Sequence, residues 1–540
     1  MRNCTLISAR KIGLGFGLAA LLFAAPVHAG VNVNNGNFYI AYTDFFVATP
    51  GINIDITRTY NSRSSYVKSY FGVGHSSELE SFVEAKNGNV VYYEGGGGNV
   101  IKFEPVKGEA GVYSNGVFGV QKIRTAKTGY VLETATGKVM SFGDKGQLVR
   151  VSDRNKNFLE LVYDQGQLAT IRDNFNNQVK VKWATFGKYP RIVLLEMGDK
   201  KARYEYGQYG DLVKAWGADG VPYEYAYDDE HNMTRISYKD GSFKEMAYNK
   251  SKDWVTKYRD VDGMVTRYDY FADNLDPENK FGTTVSRQKE GSQNKDISKF
   301  WYEFRRRADG SRYNHKAVTL IRGTVTETIF TECCGTPLVI SQWRGDDAAP
   351  ASSASALAWI APKPEKRSTF FEYYPDGLLK KKTAFDGTVT ALTYDPKHRK
   401  VASVDKGGRK IQYNYDVRGN LAWALDGQGK RRLDLTYDEK GRITIVKEAL
   451  LTNVKQGRTV FFRYDAAGKP VEIKEKTFAG KEGLIKLTYG ADGEVSGVFN
   501  AQGRAVASAD EIASAQRIAA TFQGLLEIVQ PAGVTLTPES

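Results

Sequence analysis

Side chains able to do chemistry are few here, and they are scattered. After His28 the histidines are His75, His231, His315 and His398, each in an unrelated local sequence. None stands in the H-E-x-x-H spacing that sets two imidazoles on one helix face around zinc, and neither a G-x-S-x-G nucleophile turn nor a glycine-rich phosphate loop occurs. Cys333 and Cys334 are adjacent in TECCGTPL. Zinc wants ligands two to four residues apart and a second pair elsewhere, so three states stay open for these cysteines: buried thiols, a vicinal disulfide, or a soft-metal clip. Asp-rich turns such as DGQG at Asp426 lack the strict calcium-loop patterns. Glycoside hydrolysis needs only two carboxylates at a fixed separation, which leaves a polysaccharide-acting hydrolase as the enzymatic alternative. The expectation is a chain without enzyme activity, cofactor or resident metal.

The elements that carry these residues announce themselves by repetition. YDQGQL at Tyr163 returns as YGQYGDL at Tyr206, YDDEHNM at Tyr227, YPDGLL at Tyr374, YDPKHRK at Tyr394, YDVRGNL at Tyr415, YDEKGRI at Tyr437, YDAAGKP at Tyr464 and YGADGEV at Tyr489. The regular steps are about 21 residues, and a fixed short period marks a stacked architecture whose single unit cannot fold alone. Each unit reads strand, turn, strand, with runs such as Ile411 to Tyr415 and Leu421 to Ala424 separated by DVRGN. Glycine is abundant, at 54 residues, and proline scarce, at 15, which suits many tight hairpins. The 32 tyrosines and 27 phenylalanines are read as packing bodies laddered from unit to unit. Tyr163, Asp164, Tyr227, Asp228, Tyr394, Asp395, Tyr415, Asp416, Tyr437, Asp438, Tyr464 and Asp465 are therefore structural repeat markers.

YD-x-x-G-x-L followed by D-x-x-G at this spacing resembles the YD repeats of rearrangement-hotspot (Rhs) and teneurin-type proteins. VNVNNGNFYIAYTDF from Val31, INIDITRTYNSRSS from Ile52 and FGVGHSSELE from Phe71 are similar to the domain that precedes those repeats in bacterial Rhs proteins. The resemblance implies an all-β chain, a β-hairpin ribbon wound into a hollow spiral shell; a β-propeller is the alternative, because two units approach a propeller blade in length. His75 stands where the family usually has an aromatic, most often Trp, and that exchange bears on the local anchoring contact. After Tyr489 there is no segment rich in D-P-x-G-L of the kind that precedes a released toxin in polymorphic-toxin members.

Met1 to Ala29 combine a basic start, an apolar run from Ile12 to Ala25 and a V-H-A end, the make-up of a secretory signal peptide. No later apolar stretch has the roughly 18 to 20 residues of a transmembrane helix. The division expected is 1–29 signal, 30–104 Rhs-type N-terminal domain, 105–344 degenerate repeats, 345–367 Ala/Ser/Pro-rich linker or surface loop, 368–505 regular repeats, and 506–540 capping or docking helix and tail. In that helix Ile518, Phe522, Leu525 and Val529 share one face. The net charge of +13 falls to about +10 without Arg2, Arg10 and Lys11, and the remaining basic residues lie among Asp and Glu on strands, where Lys discourages edge-to-edge association. Nucleic-acid binding has neither motif nor helical basic stripe behind it. The function expected is that of a secreted, periplasmic or cell-surface shell that presents or encloses a glycan or protein ligand in adhesion; the alternative is a carrier shell for separately encoded toxin cargo.

Overall fold

A computed structural model describes residues 29–506, apart from 65–68, 116–121, 135–136, 309, 333–334, 346–363, 429, 452–456, 467 and 491–494. Four strands open the chain: β1 (Gly30–Asn32), β2 (Asn37–Val47), β3 (Ile54–Asn61) and β4 (His75–Ser77), an antiparallel sheet in chain order. Alternation selects its buried side, Ile54, Ile56, Arg58 and Tyr60 in β3 and Phe38, Ile40 and Tyr42 in β2. A bulge between Thr43 and Phe45 breaks the alternation, so that Asp44 and Phe45 are both buried.

From Phe82–Lys86 to Val495–Phe499 the chain is one antiparallel ribbon of 36 strands, each pairing with its neighbours in sequence. This is the all-β ribbon that the repeats imply. The ribbon is not closed, because no ladder among the described residues joins its two end strands. At its first end, Phe82 bridges Gln147, which folds that edge back onto a nearby turn. The ribbon's first strands are Phe82–Lys86, Asn89–Tyr93 and Val100–Pro105. Across the Ala/Ser/Pro-rich stretch, Pro337–Arg344 pairs directly with Arg367–Tyr373, so the ribbon is continuous there.

The repeat marker has a geometric meaning. A register shift sits immediately before Tyr163, Tyr227, Tyr394, Tyr415, Tyr437 and Tyr464, always at the strand end that enters the turn. In YYPDG the shift precedes Tyr373, and Tyr374 takes the place that Asp has elsewhere. A bulge adds bend and twist to one edge of a hairpin. Repeated along the same rim, it curls the whole ribbon.

The curl brings distant turns together. Asn157 Nδ2 donates to Lys440 O at 3.1 Å across 283 residues, and Asn420 Nδ2 donates to Asn155 Oδ1 at 3.3 Å across 265. The ribbon thus passes a full winding, and the turn rim holding Asp153 to Asn157 meets the opposite rim, that of Asp416 and Asp438. Lys440 Nζ also lies 4.5 Å from the centre of the Phe175 ring. Within the first winding, strands from Trp183 to Thr283 wrap the N-terminal sheet. Tyr70 meets Trp183, Tyr42 meets Tyr223, and Thr283 Oγ1 donates to Val33 O at 2.6 Å. The main core lies between sheet and ribbon, around Phe38, Ile40, Ile56, Ile192, Leu212 and Ile236. The capping or docking helix expected around Ile518, Phe522, Leu525 and Val529, residues 1–28 of the expected signal, and Cys333 with Cys334 lie outside the described residues.

Candidate functional site

The repeat markers occupy equivalent positions. Each tyrosine hydroxyl donates to a backbone carbonyl on the strand before it: Tyr163 to Leu148, Tyr227 to Leu212, Tyr394 to Leu379, Tyr415 to Val401, Tyr437 to Leu421 and Tyr464 to Ile443, at 2.5–2.9 Å. A half-buried phenol with a fixed acceptor ties one hairpin to the last. The aspartates close the turns. Asp416 Oδ1 accepts from the amides of Arg418 and Asn420, and Asp228, Asp438, Asp395 and Asp465 accept comparable amides. Asp164 differs: it faces Gln167 across a tight hairpin whose Gln165 and Gly166 both have positive φ.

The four histidines are not brought into one cluster. His231 sits on a turn with Nδ1 2.7 Å from Asp211 Oδ2, His398 faces Asp395 at 2.9 Å, and His315 stacks edge-on against Tyr313. Among the described residues no group of three or more His, Cys, Asp and Glu could hold a metal ion. A shallow surface depression carries Glu245 beside Ala226, Thr234, Met246, Ala247 and Lys257, and that carboxylate is tied to Arg235 at 2.6 Å.

His75 is the exception, because it joins a buried polar network between the N-terminal sheet and the ribbon. Arg58, fully buried, grips Asp44 with Nε at 2.7 Å and Nη2 at 3.1 Å. Its Nη2 also donates to Tyr225 Oη at 3.0 Å, and its guanidinium carbon lies 5.3 Å from the centre of the Tyr42 ring and 5.4 Å from that of Tyr225. Tyr204 donates to Asp44 Oδ2 at 3.0 Å. His75 Nδ1 lies 3.2 Å from Arg58 Nη1, and His75 Nε2 lies 3.0 Å from Tyr227 Oη. A guanidinium only donates. Nδ1 therefore accepts, Nε2–H donates to Tyr227, and Tyr227 passes its own proton to Leu212 O. The imidazole is thus neutral. Burial, then the cations of Arg58 and Arg191, hold its pKa well below the ordinary value.

A second buried acid lies beside it. Glu80 accepts from the amides of Ser77 and Tyr70, and burial pushes its pKa up to about 8. Next to it, Arg191 reaches from the ribbon to Ser69 O at 2.9 Å and Gly210 O at 3.1 Å. Buried, and with Arg58, Asp44 and His75 each bound to neighbours, this arrangement can hold two sheets in one relative position. Sequence reasoning missed Asp44, Arg58 and Glu80. The signal was present in Arg58, which stands in the buried phase of Ile54-x-Ile56-x-Arg58-x-Tyr60, where a lone cation demands a buried partner.

A model of a domain of unknown function, DUF6531, matches residues 28–103. Double-stranded DNA deaminase toxin A of Burkholderia cenocepacia is 33% identical over 107 residues, which are 20% of this chain and 7% of that protein. Among solved structures, the Photorhabdus luminescens Tc holotoxin pore is similar over 87% of this chain and 26% of that one, at 12% identity and a TM-score of 0.45. A TcdB2–TccC3–Cdc42 complex is similar over 86% and 24%, at 12% identity and 0.46. This chain spans about a quarter of those structures' chains. No helix among the described residues is long and apolar enough to cross a membrane.

Proposed function

We propose that this chain is the wall of a toxin-delivery shell, which holds a separately encoded polypeptide and does no chemistry of its own. The observation that carries it is the seam: turns 265 and 283 residues apart in sequence lock together, so the ribbon winds back on itself instead of spreading as a flat sheet. A toxin that is 33% identical over 107 residues of this chain supports the delivery context. The closed Arg58 network supports a holding role, since every polar group there is committed to fixing the N-terminal sheet. Export through residues 1–29 belongs to the same reading, and intact mass of the exported protein checks it. Glycan binding and adhesion have no observation in their favour.

The test is co-expression with the product of the adjacent reading frame, followed by gel filtration and limited proteolysis. Co-elution with a cargo digested far more slowly than the same polypeptide alone is the expected result. A cargo that elutes separately and is cut at its free rate, beside an intact shell, overturns the proposal.

A further inference from the structure

The ladders around the seam run between chain neighbours; where the windings meet, turns touch turns. Two neutral hydrogen bonds longer than 3 Å span that contact, Asn157 Nδ2 to Lys440 O and Asn420 Nδ2 to Asn155 Oδ1. A third body sits in it. The loop that joins β2 to β3, Ala48 to Asn53, is braced on itself: Thr49 Oγ1 donates to Ile52 O at 2.8 Å and accepts the amide of Gly51 at 3.2 Å, and Asn53 Oδ1 accepts the amide of Thr49 at 3.0 Å.

On one side this tip touches the first winding, where a Cβ on Gly51 would stand 2.6 Å from Asn157 Cγ. On the other it touches the second, where a Cβ on Gly468 would stand 2.7 Å from Pro50 Cα and 3.0 Å from Thr49 O. Both glycines permit an approach that a side chain would block. Asn157 belongs to both contacts, since it is buried, packs against Gly51 and donates to Lys440 O. The tip therefore lies against both windings at the place where they bind each other. Its anchorage is of a different order from the seam's. Behind it, β2 and β3 share the main core with the first winding, Arg58 and Asp44 are tied to Tyr225 and Tyr204, and Ala218 N donates to Asp44 O at 2.7 Å. A few neutral bonds between half-buried turns open far more readily than a packed hairpin undocks.

We propose that the β2–β3 tip is the bolt of the seam: it carries the anchorage of the N-terminal sheet over to the second winding, so that undocking of the sheet and parting of the windings are one cooperative opening. This rests on the reading of the chain as a shell, whose wall would open at that seam to release cargo.

Hydrogen exchange of the full chain, corrected for intrinsic rates and read relative to Ile411 and Tyr413 inside the ribbon, follows both halves. Amides of β2 and β3 report the sheet. Those of Asn157, Arg442 and Lys469, each held by the aspartate of its own turn, report the seam. Val47 and Ile54 are direct cross-strand partners, so a two-residue Asn-Gly turn in place of residues 48–53 closes the hairpin without the tip. That variant is expected to keep wild-type exchange in β2 and β3 while exchange at Arg442 and Lys469 rises roughly fivefold, the worth of one such hydrogen bond. Seam amides at wild-type rates overturn the bolt.

Gly51→Ala is the local version and decides the question if the shortened hairpin fails to fold. Gly51 lies outside the left-handed region, so the added methyl acts through Asn157. Exchange should rise at Arg442 in the second winding, and a rise confined to the tip and Asn157 counts against the proposal. Coupling is read in the other direction with Asp44→Ala, which loosens the seat of the sheet. Lys469 should lose protection in step with β2; loss in β2 with Lys469 unchanged would show two independent openings and overturn it. Cargo retention is measured apart, so a wild type that holds no cargo while the exchange results stand removes the shell reading and leaves the bolt.

Discussion

The strongest individual commitments are made by residues that look out of place. Asp44 breaks the alternation of β2, and Arg58 stands in an apolar row of β3, yet together with Tyr204, Tyr225 and His75 they leave no group of the guanidinium unpaired on the sheet side. Removing one member of a buried ion pair strands the other, at a cost of about 3–5 kcal/mol. Asp44→Ala should therefore lower stability by about that amount in denaturant unfolding, and the double variant Asp44→Ala/Arg58→Met should recover part of it; a loss under 1 kcal/mol in the single variant would mean that water reaches the guanidinium. Marker tyrosines are individually weaker. Tyr415→Phe deletes only the hydroxyl that donates to Val401 O, so its expected cost is about 1 kcal/mol in the same measurement. The markers were legible because their partners lie on the neighbouring strand of the same ribbon. The Arg58 network was not, since its partners come from Asp44, His75, Tyr204 and Tyr225, and no local rule ties those positions together.

Among the elements, turn and bulge act as one unit. The bulge before each marker tyrosine bends one rim, and Asp closes the turn beyond it with Gly at positive φ, as at Gly419 (φ +82) and Gly441 (φ +83). These glycines also form the seam between windings. A Cβ on Gly441 would stand 2.1 Å from Asn155 Nδ2, and one on Gly419 would stand 2.6 Å from Arg154 Nη1. Gly441→Ala therefore meets a left-handed backbone costing about 1–2 kcal/mol together with a steric block at the seam. It should increase exchange at Asn155 and Asn157 more than at Ile411 and Tyr413 within the ribbon. Gly480→Ala is the control, because its φ of +84 carries the same backbone strain with nothing within 4 Å of the added carbon. Equal effects at the two sites would show that the seam tolerates the methyl. Hairpins and turn types could be read from sequence because turn chemistry is local. Which rim meets which could not, since it depends on curvature accumulated over a whole winding.

For the whole molecule, the N-terminal sheet and the first winding share one apolar core, and each is incomplete without the other. Phe38, Ile40, Phe45, Ile54, Ile56 and Phe71 are at most 1% exposed and belong to the same cluster as Ile192, Leu212, Met233 and Ile236 of the ribbon. Each large side chain returned to water costs roughly 1.5–3 kcal/mol, which over six such residues is comparable with the roughly 5–15 kcal/mol net stability typical of a folded domain, after reduction for a compact unfolded state. Deleting residues 30–80 should therefore expose dye-binding surface on the strands from Trp183 to Thr283 and lower the melting temperature. The β-rich circular dichroism signal should persist, because the ladders of the regular repeats, from Arg367–Tyr373 onward, are internal to the ribbon. An unchanged melting temperature without dye binding would mean that the ribbon closes its core without the sheet, and the sheet would then be a detachable passenger. Loss of the β signal altogether would show the opposite: the winding forms only around a preformed sheet. The expected outcome lies between these because the ribbon's hydrogen bonds are made with chain neighbours, while its concave apolar face is completed by residues far away in sequence.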